Sequence, residues 1–204
     1  YVFGKNDILC RERSGKDLMK IRKNDIFLYG RKMLFQMLEI LYPRRCAVCD
    51  EIEVTGKGIC PLCKDKVHVA GEPACKKCGK PLVDERKEFC TDCGKKHHVY
   101  TQGKAVFVYE GGIRNSMYRF KYGNKREYAE FYANAAVEKY GVWLNKIKAE
   151  VLIPIPMYSR KKRLRGYNQA EVFARELGRK AGILVDEHLV RRVRNTTVSY
   201  THLT

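Results

Sequence analysis

Eight of the nine cysteines in this chain fall into four Cys-x-x-Cys pairs: Cys46/Cys49, Cys60/Cys63, Cys75/Cys78 and Cys90/Cys93. Ten residues separate the first two pairs, and eleven separate each later neighbouring pair. Two residues between thiols let the chain turn tightly and present both sulfurs to one metal, at about 2.3 Å. Two such knuckles complete a tetrahedral four-thiolate shell, so eight thiols read as two Zn2+ sites. A full thiolate shell leaves no position for a substrate, and both ions are therefore expected to be structural. The spacing fits sequential pairing, with the first two knuckles on one ion and the last two on the other. A crossed arrangement has the same spacing and stays open. A disulfide framework is the competing reading. It needs an oxidising compartment, and no secretory signal is recognisable ahead of the cysteines. Cys10 stands alone and has no assigned role.

The segment around these pairs has few large aliphatic residues. Ala74, Gly79, Pro81 and Gly94 flank the later pairs. Such a stretch cannot fold on a hydrophobic core alone, so metal binding is expected to supply its folding free energy. His68, His97 and His98 lie close by, but the thiol count is already complete and they read as surface residues.

Composition narrows the partners. The chain has 204 residues with 41 Lys and Arg against 23 Asp and Glu, a formal charge of +18. Eight thiolates and two Zn2+ would together subtract four charges, leaving about +14. An excess of this size points to a polyanion, either nucleic acid or a phosphorylated ligand, with a solvated lysine-rich surface as the plain alternative. No apolar run approaches a membrane span; the longest candidate, Met33 to Tyr42, is interrupted by Gln36 and Glu39. The expected compartment is a reducing cytoplasm.

Along the chain, residues 1–32 read as a poorly ordered leader. Residues 33–43 form a short amphipathic helix in which Met33, Leu34, Met37, Leu38 and Leu41 share a face and Pro43 ends the run. That face serves as core against the next domain or, alternatively, as a membrane-surface or partner helix. Residues 44–98 are the metal module. A composition shift follows. Ala105 to Tyr109 is a β-branched and aromatic run expected to be a strand. Ile113, Met117 and Phe120 space as a helix face ended by Gly123-Asn124. Tyr128, Phe131, Tyr132, Ala135 and Ala136 continue a helical stripe toward Tyr140. Val151 to Pro156 suits a buried parallel strand. Asn168 to Glu171 looks like a capped helix start, Phe173, Leu177 and Ala181 its buried face, and Gly182 its stop. Ile183 to Val185 is a further short strand. The alternation predicts an α/β domain with a parallel sheet over 101–197, behind the N-terminal double zinc ribbon.

Between the strand at 151–156 and the helix at 168 lies a basic stretch, Met157 to Asn168. Five of residues 160–165 are Lys or Arg. In open parallel sheets, ligands bind beyond the carboxyl ends of strands, and helix N-termini favour anions. Arg160, Lys161, Arg163, Arg165, Gly166, Tyr167 and Asn168 are the candidate phosphate-binding residues. A mobile, solvated basic loop is the alternative.

These residues also carry a family likeness. Leu41-Tyr42-Pro43-Arg44-Arg45-Cys46, the four cysteine pairs and Phe120-Lys121-Tyr122-Gly123-Asn124 come first. Ile153-Pro154-Ile155-Pro156, Arg163-Leu164-Arg165-Gly166-Tyr167-Asn168-Gln169-Ala170 and Leu189 to Thr196 follow. Together they resemble the ComF family, closest to its ComFC type, over about residues 33–196. The resemblance implies a double zinc ribbon fused to a type I phosphoribosyltransferase-like domain. It also implies phosphoribosyl pyrophosphate (PRPP) and Mg2+ as ligands. Its process would be uptake of single-stranded DNA in natural transformation, beside a ComFA-type ATPase.

The sequence departs from that pattern at one place. Relatives carry two acidic residues at a strand end followed by a Thr- and Gly-rich loop that cradles the 5-phosphate. Here Ile183-Leu184-Val185-Asp186-Glu187 is followed by His188-Leu189-Val190-Arg191-Arg192. The family motif would lie beyond residue 204. Residues 198–204 read as a non-native, adaptor-derived tail, with a native polar tail as the alternative. No catalytic residue is assigned. The expected function is a ComF-like protein, catalytically incomplete over these residues. The competing expectation is a non-enzymatic module that holds single-stranded nucleic acid or a helicase partner. In that case Tyr118, Tyr122, Tyr158 and Tyr167 would stack on bases.

Overall fold

The computed structural model describes Met37 and residues 41–193. The expected leader at 1–32, Cys10 and the tail at 198–204 lie outside the described residues. The chain divides at Pro43 into two compact units. Of the first, Met37 and Leu41 are helical. The second unit, from Arg44 onward, holds the ribbons and a mixed helical region with one small parallel sheet.

Each ribbon ends on a short helix that begins after its third cysteine: α1 (Pro61–Lys64) and α2 (Thr91–Lys95). Then come α3 (Gly111–Tyr122) and α4 (Tyr128–Lys146). Ile113, Ser116 and Phe120 are the buried side of α3. Gly123 caps it by donating its amide to Arg119 O, and Asn124 turns the chain at φ +54°. Tyr128, Phe131, Tyr132 and Ala136 face inward from α4. Two-residue strands β1 (Val151–Leu152) and β2 (Leu184–Val185) pair in parallel, Val151 opposite Leu184 and Leu152 opposite Val185. Parallel strands require a crossover, and α5 (Ser159–Arg165) and α6 (Gln169–Ala181) supply it. Among the described residues no helix is long and apolar enough to cross a membrane.

The core joins ribbon to helices. Ala47 from the first knuckle is packed with Ile113, Phe120, Phe131, Tyr132 and Tyr167, and Ile59, Val67 and Phe107 close over them. The Phe107 and Phe131 rings stack with centroids 5.4 Å apart. α6 lies on α4 and on β2. At Gly178 a Cβ would meet Val185 Cγ2 at 2.5 Å and Ile183 O at 2.7 Å, so only glycine allows the helix this close to the strand.

Four expectations change. Of the run from Val151 to Pro156 only Val151–Leu152 is strand, and Val151, Ile153 and Ile155 are exposed, so it is not a buried strand: the described sheet has only two strands to cover it. Ala105 to Tyr109 does not join the parallel sheet. It makes one antiparallel bridge, Phe107 with Val69, flanked by Ala70 N to Val106 O and Val108 N to His68 O. Its β-favouring side chains are paired against the ribbon, and Phe107 is spent on the aromatic core. The basic stretch is not a loop but mostly the helix α5, ended by Gly166 at φ +81°. Lys, Arg and Leu are good helix formers, and charge density alone does not prevent a solvated helix. On α6 the fully buried positions are Ala174 and Gly178; Phe173, Leu177 and Ala181 are half-buried.

Candidate metal centres and basic cavity

The eight thiols form two clusters. Cys46, Cys49, Cys60 and Cys63 have their Sγ atoms within 4.8 Å of one another, and so do Cys75, Cys78, Cys90 and Cys93. The pairing is the sequential one. A tetrahedron with Zn–S of about 2.3 Å has sulfur–sulfur edges of about 3.8 Å. Cys49 and Cys60 Sγ are 3.8 Å apart, and Cys78 and Cys90 Sγ are 3.7 Å apart. A disulfide needs about 2.05 Å. The donor set and the geometry therefore fit one structural zinc in each cluster.

The backbone prepares these thiols for metal. Val48 N and Cys60 N each donate to Cys46 Sγ at 3.4 Å, and Cys90 N donates to Cys75 Sγ at 3.3 Å. Burial pushes the Cys46 thiol up, but amides of Cys49, Cys60 and Val48 outweigh it and bring it to about 7. Burial likewise raises Cys75, while amides of Cys78, Cys90 and Lys77 take it down to about 6. Cys63 and Cys93 are pushed up to about 12, by burial and then by the neighbouring thiols. In each cluster the amides thus favour the thiolate at the first cysteine, while burial and the neighbouring thiols disfavour it at the fourth.

The two ribbons repeat each other bond for bond. Cys46 N donates to Glu51 O and Asp50 N to Cys46 O; Cys75 N donates to Lys80 O and Gly79 N to Cys75 O. Short bridges, Arg45 with Ile52 and Ala74 with Pro81, close the two turns. The residue after the second cysteine has a left-handed backbone in both, φ +69° at Asp50 and φ +76° at Gly79. At Gly79 a Cβ would meet Ala105 N at 2.7 Å. Asp50 carries a side chain there and uses it: Oδ1 accepts from Tyr128 Oη at 2.6 Å and pairs with Lys125 Nζ at 2.8 Å. Burial raises the Asp50 carboxyl, but the bonds from Lys125 and Tyr128 win and hold it below its usual value. Arg119 Nη1 adds a bond to Val48 O at 3.0 Å. Sequence reasoning missed this clasp. The signal was the Asp where the second ribbon has Gly.

The phosphate candidates are scattered. A cavity of about 660 Å³ lies on the residues that follow the carboxyl ends of β1 and β2. Lys162, Arg163, Gly166, Arg191 and Arg192 line it, with the carboxylates of Glu171 and Glu187 beside them. Of the predicted residues, only Arg163 and Gly166 are among its walls. Lys162 also lines it but is paired with Glu171 at 2.7 Å. Arg165 turns away, donating to Gln169 Oε1 at 2.6 Å and lying 4.8 Å over the Tyr122 ring. Tyr167 is buried and donates its hydroxyl to Phe120 O. Asn168 is buried too: Oδ1 caps α6 by accepting from Ala170 N, and Nδ2 donates to Ile155 O and Glu171 Oε1. Arg160 and Lys161 sit on α5, exposed and half-buried. The acids at the end of β2 are committed as well. Glu187 holds Arg175 through both carboxylate oxygens, and Asp186 Oδ1 accepts from His188 N at 2.8 Å and Leu189 N at 2.9 Å.

Residues 37–94 match the double zinc ribbon domain family. Neither a curated protein nor a solved structure matches the chain.

Proposed function

We propose that this is a ComF-like protein in which a double zinc ribbon carries a phosphoribosyltransferase-like unit. The basic cavity at the carboxyl ends of β1 and β2 is its anion site. One observation carries the reading: Arg163 and Arg191 reach a cavity placed where parallel α/β sheets bind ligands. The ligand class is a phosphosugar pyrophosphate such as PRPP, with Mg2+ accompanying the pyrophosphate. The site binds without turnover over these residues. Asp186 and Glu187 are taken up by turn amides and by Arg175, so neither acid is free to hold ribose hydroxyls. Without them the anomeric carbon is not positioned, and positioning supplies much of the catalysis in such transfers. Calorimetry with PRPP and Mg2+ tests this. Weak binding, lost in Arg163→Ala/Arg191→Ala and indifferent to Asp186→Asn, is the expected result. Tight binding that Asp186→Asn/Glu187→Gln abolishes would make the acids part of the site and sink the reading.

A second reading has its own observation. Tyr118 and Tyr122 are exposed on α3 with ring centroids 5.1 Å apart, and Arg165 lies over Tyr122. Aromatic faces beside cations suit single-stranded nucleic acid, the polymer that a partner ATPase of the ComFA type would hand on. Affinity for an oligonucleotide should fall steeply with salt. It should weaken in Tyr118→Ala/Tyr122→Ala more than for an abasic oligomer of equal length.

A further inference from the structure

We propose that the two four-cysteine centres have divided roles. The first is the keystone of the whole Arg44-onward unit. The second is an exchange site, through which Zn2+ or another thiophilic ion such as Cd2+ enters and leaves while the helices stay folded. This does not rest on the phosphosugar or nucleic-acid readings.

The thiols themselves do not separate the centres. Cys46 and Cys63 are 0% and 2% exposed, Cys75 and Cys90 2% and 6%. The surroundings separate them. The first knuckle is bonded directly into the helices at Val48 by Arg119 and at Asp50 by Lys125 and Tyr128. Its Ala47 is fully buried in the aromatic core. Gly112 of α3 is so close to Val48 that a Cβ there would stand 2.6 Å from Val48 Cγ1. Unfolding the first loop would therefore withdraw a wall of the core and three hydrogen-bonding partners at once.

The second ribbon is held differently. Its ion pairs Lys76–Glu88, Lys80–Asp92 and Lys87–Asp84 lie within it. Its outward bonds, Gly103 N and Gln102 Nε2 to Lys77 O and Lys76 O, reach the linker that follows, not a helix of the core. That linker is itself fixed to α4, where Lys139 and Tyr140 both donate to Ala105 O. The attachment of the linker thus survives without the ribbon's metal. Beside the second centre there is also a cavity of about 600 Å³, walled by Cys78, Cys90 and Cys93 together with Tyr100, Phe107 and Tyr109. A chelating ligand or incoming ion reaches three of the four thiolates from one side.

The experiment follows zinc transfer from the loaded full chain to a chromophoric chelator while recording circular dichroism. Two phases of one zinc each are expected, at least tenfold apart, with the helicity of α3 to α6 kept after the fast one and at most the five residues of α2 lost. Cys90→Ser should remove the fast phase, leave one zinc per chain and keep the helices. Asp50→Ala and Arg119→Ala should speed the slow phase several-fold and leave the fast phase as it was. Cys60→Ser should lose the helices together with the first zinc, and the clasp variants keep the test decisive if it fails to fold. Cd2+ should enter one centre per chain, read by thiolate-to-metal absorption, before any helicity is lost. Release of both ions in one phase together with the helical signal would overturn the proposal. So would a fast phase that survives Cys90→Ser.

Discussion

The two ribbons share a backbone plan and differ at one position after the second cysteine. In the first ribbon that position is Asp50, in the second Gly79. Both need the left-handed backbone that closes the knuckle. Glycine meets the requirement at no steric cost, whereas aspartate is one of the few other residues that tolerates it. The cost at Asp50 is offset because the side chain reaches Lys125 and Tyr128. The absence of a side chain at Gly79 is used too, since the linker backbone fills the space. One ribbon thus turns its knuckle into an anchor and the other turns it into a bed for the chain. A metal-binding repeat need not have repeated mechanical roles.

The comparison breaks most severely at the core the first ribbon shares. Phe131 is 6% exposed, stacks on Phe107 and packs under Gly58. Phe131→Ala should cost about 3–5 kcal/mol in denaturant unfolding and release the first zinc with the helices. An unfolding midpoint within error of the parent would mean the first ribbon is not built into that core. Gly79→Ala comes next. A Cβ there strikes the Ala105 amide and sits at a left-handed φ, so a loss of about 1–3 kcal/mol is expected. The comparison predicts that this loss is local. Amide exchange should accelerate in the second ribbon and not in α3 or α4.

Asp50→Asn is smaller. The amide oxygen still accepts from Tyr128 and asparagine tolerates the backbone, so only the charge on Lys125 loses its partner. A partly exposed pair of this kind contributes about 0.5–1 kcal/mol, and the effect should shrink in high salt. A loss that salt does not touch would show the clasp to be steric. The smallest effect belongs to Glu187, whose ion pair is with Arg175 of α6 and not with a ribbon residue. The bond from Arg175 holds its carboxyl below the usual 4.5. A depressed carboxyl contributes stability above its unfolded value and loses it as pH falls through the folded one. Stability of the parent should therefore drop below about pH 4.5 slightly more than that of Glu187→Gln, by well under 1 kcal/mol for so exposed a pair. Equal slopes would show that the Arg175 pair adds nothing.

The cysteine spacing made the metal chemistry legible, because four ligands per ion is a local count. The helices α3, α4 and α6 were legible for a similar reason: apolar periodicity and stops such as Gly182 are local signals. What failed was non-local. Nothing in Ala105 to Tyr109 says that its partner is Val69 of the ribbon instead of a strand of the parallel sheet. The Arg-Gly-Tyr-Asn run was read as an anion loop, yet most of it is architecture. Gly166 ends α5, Tyr167 is tied to Phe120, and Asn168 starts α6. Of residues 160–168 only Lys162, Arg163 and Gly166 line the cavity. The clasp at Asp50 was invisible until the two knuckles could be laid over each other.

The bridge between Val69 and Phe107 has a consequence for how the chain could be rebuilt. It brings together the entry to and the exit from everything between them, so residues 71–104 leave and return at one narrow neck. A segment whose two ends already touch costs little to close by other means. That makes the second ribbon a cassette. Replacing residues 71–104 with a two-residue link, so that Ala105 completes a three-residue loop, should give a shorter chain that still pairs 68–70 with 106–108 and still folds around one zinc. The same surgery has no counterpart at the first ribbon, whose loops are stitched to α3 and α4 at several points and offer no neck to cut.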